Sequence, residues 1–149
     1  MGTVLTYNVA TTWDSDPDSI GTMVSSGFTL DISSPAGLGG PGVGTNPEEL
    51  LLAAAAGCYL ITLRTILHNR GIQYTQIEMS SRGFVESDHG LRFDRIEHHP
   101  LIVLESVEEE AQVKKYAMHA VHACMVSTAI RGNVAVTVEP QVKVQTTTA

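Results

Sequence analysis

No lysine or arginine occurs before Arg64. The first 63 residues carry six acidic side chains and no base; the rest of the chain carries ten acids and nine bases, and the total is −7. A nucleic acid is therefore excluded as a partner, because it calls for a basic face against its phosphates. Only two cysteines are present, too few for a secreted disulfide scaffold. The N-terminus lacks the basic segment and apolar core of a signal peptide, so a cytoplasmic location is expected. Met1-Gly2-Thr3-Val4-Leu5-Thr6 fits a myristoylation pattern only formally, and no membrane partner is expected. Several catalytic signatures are also missing. There is no G-x-S-x-G elbow, no H-E-x-x-H and no paired C-x-x-C. Residues 33–44 hold five glycines and two prolines, yet no lysine follows and no strand runs directly into them, so neither a P-loop nor a dinucleotide fingerprint is read there. No cofactor and no metal is expected. A zinc on Cys58, Cys124 and a histidine finds little support: His119 and His122 stand five and two residues before Cys124, neither of them a facing spacing on a helix.

What is present centres on Gly44 to Gly71. Asn46 is a good N-cap, Pro47 suits the first helical position, and Glu48 and Glu49 place negative charge in the first turn. Glu49 stands three residues after Asn46, as in a capping box, and Gly71 is a plausible stop. From Leu50 to Leu63 only Thr62 is clearly polar, so the helix is expected to be buried nearly all round. Its continuous apolar length falls short of the roughly 18 residues of a membrane span. Around it, Val4–Trp13, Ile20–Val24 and Phe28–Ile32 read as strands, followed after the helix by Ile72–Glu86 and Leu91–Leu104, the latter with a possible interruption at His98-His99-Pro100. His98-His99 reads as an exposed strand end. Ser106 with Glu109 opens a second helix, on which Val113, Ala117, Ala120, Val121 and Cys124 form one stripe. Gly132 ends it, and Val134–Val144 closes the chain as a strand. The order predicts one α+β domain over residues 1–149, with antiparallel sheet. One sheet and one other helix hardly cover a helix that is apolar on all sides. A second copy of the chain would, which predicts a homodimer.

Three residues stand out chemically. Cys58 and Cys124 sit one on each apolar helix, as a redox pair or as two small core hydrophobes. Cys58 is about three turns into its helix, beyond the reach of that helix's own dipole, so a thiolate there needs a donor or cation from elsewhere. Glu48 precedes Cys58 by ten residues, roughly 15 Å of helical rise, so the two cannot touch within one straight helix. Glu48 is equally favoured simply as an N-terminal helix charge.

Gly44-Thr45-Asn46-Pro47-Glu48-Glu49-Leu50, continuing to Ala56-Gly57-Cys58, resembles the OsmC/Ohr family of osmotically inducible and organic hydroperoxide resistance proteins. So does Cys124-Met125-Val126-Ser127, with Met125 where the family usually has proline, and so does the loop Ser34-Pro35-Ala36-Gly37-Leu38-Gly39-Gly40. The resemblance implies two central helices packed on sheets in an intertwined homodimer, with active sites at the interface. It implies thiol peroxidase activity on organic (alkyl or lipid) hydroperoxides, with Cys58 as the peroxidatic thiolate, Cys124 as the resolving thiol and Glu48 orienting an activating arginine. The reductant would be an external dithiol, of lipoyl type or a small thiol. An apolar site lined by leucine, isoleucine and Tyr59 would favour alkyl substrates. The family's arginine comes from the N-terminal strands, where this chain has none. Arg64 is poorly placed, and Arg82, Arg92 and Arg95 remain as candidates. The alternative is an OsmC-like protein with little or no peroxidase activity, acting in thiol redox chemistry or holding a small hydrophobic ligand.

Overall fold

The computed structural model describes residues 2–145. Residues up to Leu50 form one compact unit and those from Leu51 another.

In the first unit, β1 (Ala10–Thr12), β2 (Gly21–Val24) and β3 (Thr29–Ile32) form an antiparallel sheet in that order. The strand expected over Val4–Trp13 is therefore only three residues long, and Val4, Leu5 and Tyr7 are strongly exposed. The glycine-rich stretch holds one 3-10 turn, Ala36–Leu38, and is cinched by Ser33. The Ser33 hydroxyl donates to the Val43 carbonyl at 2.6 Å and accepts from the Val43 N–H at 2.9 Å. Gly44 has φ +72°, and a Cβ there would strike the Asp31 backbone, so only glycine fits.

Helix α1 (Pro47–Asn69) begins as its sequence dictates. The Asn46 side chain accepts from the Glu49 N–H at 2.8 Å, and its amide donates back to the Glu49 carboxylate at 2.9 Å. Gly71, at φ +68°, follows its end, and Gly71 N–H donates to the His68 carbonyl. The expectation of burial all round is corrected. Ala55, Tyr59, Leu63 and Leu67 are buried, but the opposite face, including Gly57 and Ile61, is open within the chain, and Ile61 is 64% exposed. One sheet and one further helix cover only one side. At 23 residues with a mean hydropathy of 1.9 over its best window, α1 also reaches the length and apolarity of a membrane span, contrary to the shorter run read from sequence. Its buried residues Tyr59, Leu63 and Leu67 belong to the core.

In the second unit, β4 (Tyr74–Glu86) and β5 (Arg92–Leu104) form a long antiparallel hairpin. No interruption occurs at Pro100, which pairs with Met79. Alternate residues of β5, namely Ile96, His98, Pro100, Ile102 and Leu104, face the core. His98 is thus fully buried in mid-strand, not an exposed end. After Ser106 and a 3-10 turn (Val107–Glu109), α2 (Glu110–Ala123) and α3 (Met125–Ile130) follow. The chain ends in β6 (Ala135–Val138) and β7 (Gln141–Val144), two short strands where one was expected. Both pair with β5, and both are parallel to it, β6 along Arg95–His98 and β7 along Leu101–Leu104. The expected antiparallel pairing holds from β1 to β5 and not for β6 and β7: helices α2 and α3 make a crossover long enough to return a parallel strand. The α+β class stands. The core joins Tyr59, Leu63 and Leu67 of α1, Ile102 and Leu104 of β5, and Val113, Ala117, Ala120 and Val121 of α2. Each of the larger side chains contributes about 1.5–3 kcal/mol by leaving water.

Candidate redox site

The predicted stripe on α2 is buried in full, Cys124 included. Cys124 itself is not helical. Its extended backbone (φ −72°, ψ 123°) separates α2 from α3, and its carbonyl accepts from the Thr128 N–H at 2.9 Å. It caps α3, so the single helix expected from Ser106 to Gly132 is broken at the cysteine. Packing of α2 beside α1 brings Cys124 to Cys58, and the pair stands 2.9 Å apart with both thiols free. Cys58 is half-buried; Cys124 is fully buried.

The electrostatics differ at the two sulfurs. Burial pushes the Cys58 thiol up, but hydrogen bonds outweigh it and the net shift is downward. They come from the Cys124 thiol and from the backbone N–H groups of Val126 and Met125; the nearby Thr62 hydroxyl donates to the Cys58 carbonyl at 2.8 Å. Hydrogen bonds of this kind favour the charged form. Burial also pushes Cys124 up, and there the hydrogen bond to Cys58 adds to it, opposed by Ser127. Of the pair, Cys58 gives up its proton more readily and Cys124 less.

These donors answer the need for activation from outside α1. The first N–H groups of a helix have no intrahelical acceptor. Those of α3, at Met125 and Val126, meet Cys58 instead. Met125 matters here by not being proline, since a proline has no N–H to offer. Its side chain is 77% exposed. Sequence reasoning missed this pair of donors because the break at Cys124 has no glycine or proline to mark it.

Other expected participants are elsewhere. Glu48 lies in the first turn of α1, ten residues before Cys58, half-buried, with Oε2 lacking a hydrogen-bond partner among the described residues. Tyr59 does not line the thiol site. Its ring is fully buried, stacked on His98 at 5.2 Å, and its hydroxyl donates to the Ala117 carbonyl at 2.9 Å. Arg92 is paired with Glu86. Arg95 is held by Asp94 and Glu97 at 3.0 and 3.1 Å and lies 3.7 Å over the Phe84 ring. Arg82 lies over the same ring at 5.7 Å and has no ion pair among the described residues. Arg64 is exposed on α1.

Comparison with known proteins agrees with the order of elements. Residues 39–139 match the family described as OsmC-like protein. The protein YmaD of Bacillus subtilis is 38% identical over 135 residues, covering 88% of this chain and 90% of its own. Among solved structures, an OsmC organic hydroperoxide resistance protein of Legionella pneumophila superposes with a TM-score of 0.74 at 24% identity, covering 93% of this chain and 99% of that one. An OsmC-like protein of Mycoplasma pneumoniae gives 0.77 at 19%, covering 93% and 98%. An organic hydroperoxide resistance protein of Elizabethkingia anophelis gives 0.70 at 23%, covering 97% and 100%. With a thiol pair at the junction of its helices, this α+β chain belongs to the OsmC-like family.

Proposed function

We propose that the protein is a thiol peroxidase that reduces organic hydroperoxides. The observation that carries this reading is the juxtaposition of Cys58 and Cys124 at 2.9 Å, with backbone donors on the Cys58 sulfur. The Cys58 thiolate attacks the distal oxygen of R–O–O–H and the O–O bond breaks. Cys58 becomes a sulfenic acid and the leaving alkoxide takes up a proton as the alcohol. Cys124 then attacks the sulfenic sulfur, losing its proton, and one water leaves as the disulfide forms. An external dithiol, of lipoyl type or a small thiol, restores both cysteines by exchange and is itself oxidised to a disulfide. The hydrogen-bonded Cys58 suits the first role, and the position of Cys124 beside it suits the second.

Glu48 is assigned the positioning of a basic side chain brought by a second copy of the chain. Its buried Oε2, without a partner among the described residues, and the open apolar face of α1 support a homodimer. The test is consumption of cumene hydroperoxide in the presence of a dithiol. Wild type is expected to turn over, and Cys58→Ser to do so no faster than the uncatalysed mixture. Equal rates in the two proteins would overturn the assignment.

A further inference from the structure

Among the described residues, three buried side-chain atoms find no nitrogen or oxygen to bond: Glu48 Oε2, His98 Nε2 and Ser127 Oγ. Of these three residues, Ser127 alone acts on a sulfur of the redox pair. It stands on α3, three residues after Cys124, and is 5% exposed. A buried hydroxyl without a partner is costly and calls for a reason. Two hydroxyls lie near the two sulfurs, and they differ in where their protons go. Thr62 Oγ1 gives its proton to the Cys58 carbonyl at 2.8 Å, so it has none for the sulfur. The Ser127 proton is committed to no nitrogen or oxygen. Burial and the neighbouring Cys58 disfavour charge on Cys124, and the Ser127 side chain favours it.

Cys124 has to carry charge twice in a redox cycle. When the disulfide forms, the nucleophile is its thiolate. When a dithiol reduces the disulfide, attack falls on the half-buried Cys58, because Cys124 is fully buried. The S–S bond breaks, its electron pair stays on Cys124, and the rate rises as the pKa of the leaving thiol falls. The donors at Met125 and Val126 serve Cys58. For Cys124 the side chain that offsets burial is Ser127. Ser127 also lines a cavity of about 360 Å³ between α2, α3 and β6, with His122 and Arg131 on its wall and no carboxylate.

We propose that Ser127 is a positioning residue for the resolving thiol: its hydroxyl donates to the Cys124 sulfur and holds the thiolate that forms the disulfide and that leaves when an external dithiol breaks it. In the first step the Cys124 sulfur bonds to the Cys58 sulfur, the S–O bond of the sulfenic acid breaks, and hydroxide departs with the Cys124 proton as water. In the second, a thiolate of the dithiol bonds to Cys58, and Cys124 departs as a thiolate that regains a proton from the cavity. The other thiol of the reagent then releases Cys58, so the protein is reduced and the dithiol oxidised. The inference rests on the peroxidase reading for the first step and not for the second.

Two measurements test it, and neither needs a hydroperoxide. In the first, diamide closes the Cys58–Cys124 disulfide and excess dithiothreitol reopens it. Ser127→Ala is expected to be reduced roughly threefold or more slower than wild type, and Ser127→Thr, which keeps the hydroxyl, about as fast as wild type. In the second, Cys58→Ser leaves Cys124 as the sole cysteine, and the NMR shift of its labelled Cβ is followed with pH. Adding Ser127→Ala is expected to move the titration up by about one unit, or beyond the range in which the protein stays folded. Loosened packing would admit water and move it down. Equal reduction rates in wild type and Ser127→Ala, Ser127→Thr as slow as Ser127→Ala, a titration that stays or moves down, or no disulfide with diamide in wild type each overturn the proposal. If the expected shifts are found and no hydroperoxide is consumed, the peroxidase reading alone falls.

Discussion

Mild acid should destabilise this protein through His98. The imidazole is fully buried, stacked on Tyr59, and its Nδ1 lies 2.7 Å from the Ser81 hydroxyl. Nε2 has no partner among the described residues. Protonation would leave a second N–H and a full charge there with nothing to accept either. Burial lowers the pKa from 6.5 to about 4, helped by the neighbouring His99. The folded pKa lies below the unfolded one, so the folded state resists the proton that the unfolded chain accepts. Stability is complete above about pH 6.5, falls as the pH drops, and the loss is full once the pH passes below about 4. Over the whole window the difference of about 2.5 units corresponds to roughly 3 kcal/mol, of which about 2 kcal/mol is already lost at pH 5. That is a sizeable part of the usual 5–15 kcal/mol of a domain. The assay is urea unfolding at fixed protein concentration between pH 7.5 and 5, comparing wild type with His98→Phe, which keeps a ring beside Tyr59. The variant is less stable at pH 7.5, because Ser81 loses its partner. Only the change with pH is diagnostic, and the wild type should lose about 2 kcal/mol more than the variant. Parallel losses in the two proteins would refute the reasoning.

Three other outcomes are expected. Met125→Pro keeps a residue suited to the first position of α3 but removes an N–H from the Cys58 sulfur; alkylation of Cys58 at neutral pH should slow on the order of tenfold, whereas Met125→Ala should react like wild type. If both variants behave alike, the backbone donor is not what lowers the thiol. Cys124→Ser should still consume one equivalent of hydroperoxide and then hold Cys58 as a sulfenic acid that dimedone traps, and continued turnover with no trapped species would remove Cys124 from the cycle. Ile61→Glu places a charge on the open face of α1; sedimentation equilibrium should find a smaller assembly than wild type, and an unchanged mass would mean that a second copy does not cover that face.

Much of the fold was legible because it rests on local chemistry. The Asn46–Glu49 cap, the stop at Gly71 and the buried stripe on α2 each follow from a few neighbouring residues. Pairing partners were not legible. Val134–Val144 reads as a strand whichever way it runs, and only the length of the α2–α3 crossover makes it parallel to β5. His98 misled because a His-His-Pro step looks like a strand end, while alternation along β5 puts His98 inside and His99 outside. At the site, the family resemblance pointed to Cys58, Cys124 and Glu48, and the structure brings the two thiols together. The amides that serve Cys58 were invisible, since a backbone donor leaves no mark in a side-chain pattern.

The break at Cys124 has a further consequence. A bond between Cys58 and Cys124 would close a covalent ring of 67 residues that contains both long strands and all of α2. In chain-entropy terms such a ring removes about 4 kcal/mol of disorder from the unfolded state. The oxidised protein would then resist unfolding better than the reduced one. Each turnover would pass through its most robust form while oxidant is abundant and return to the looser one when reductant arrives.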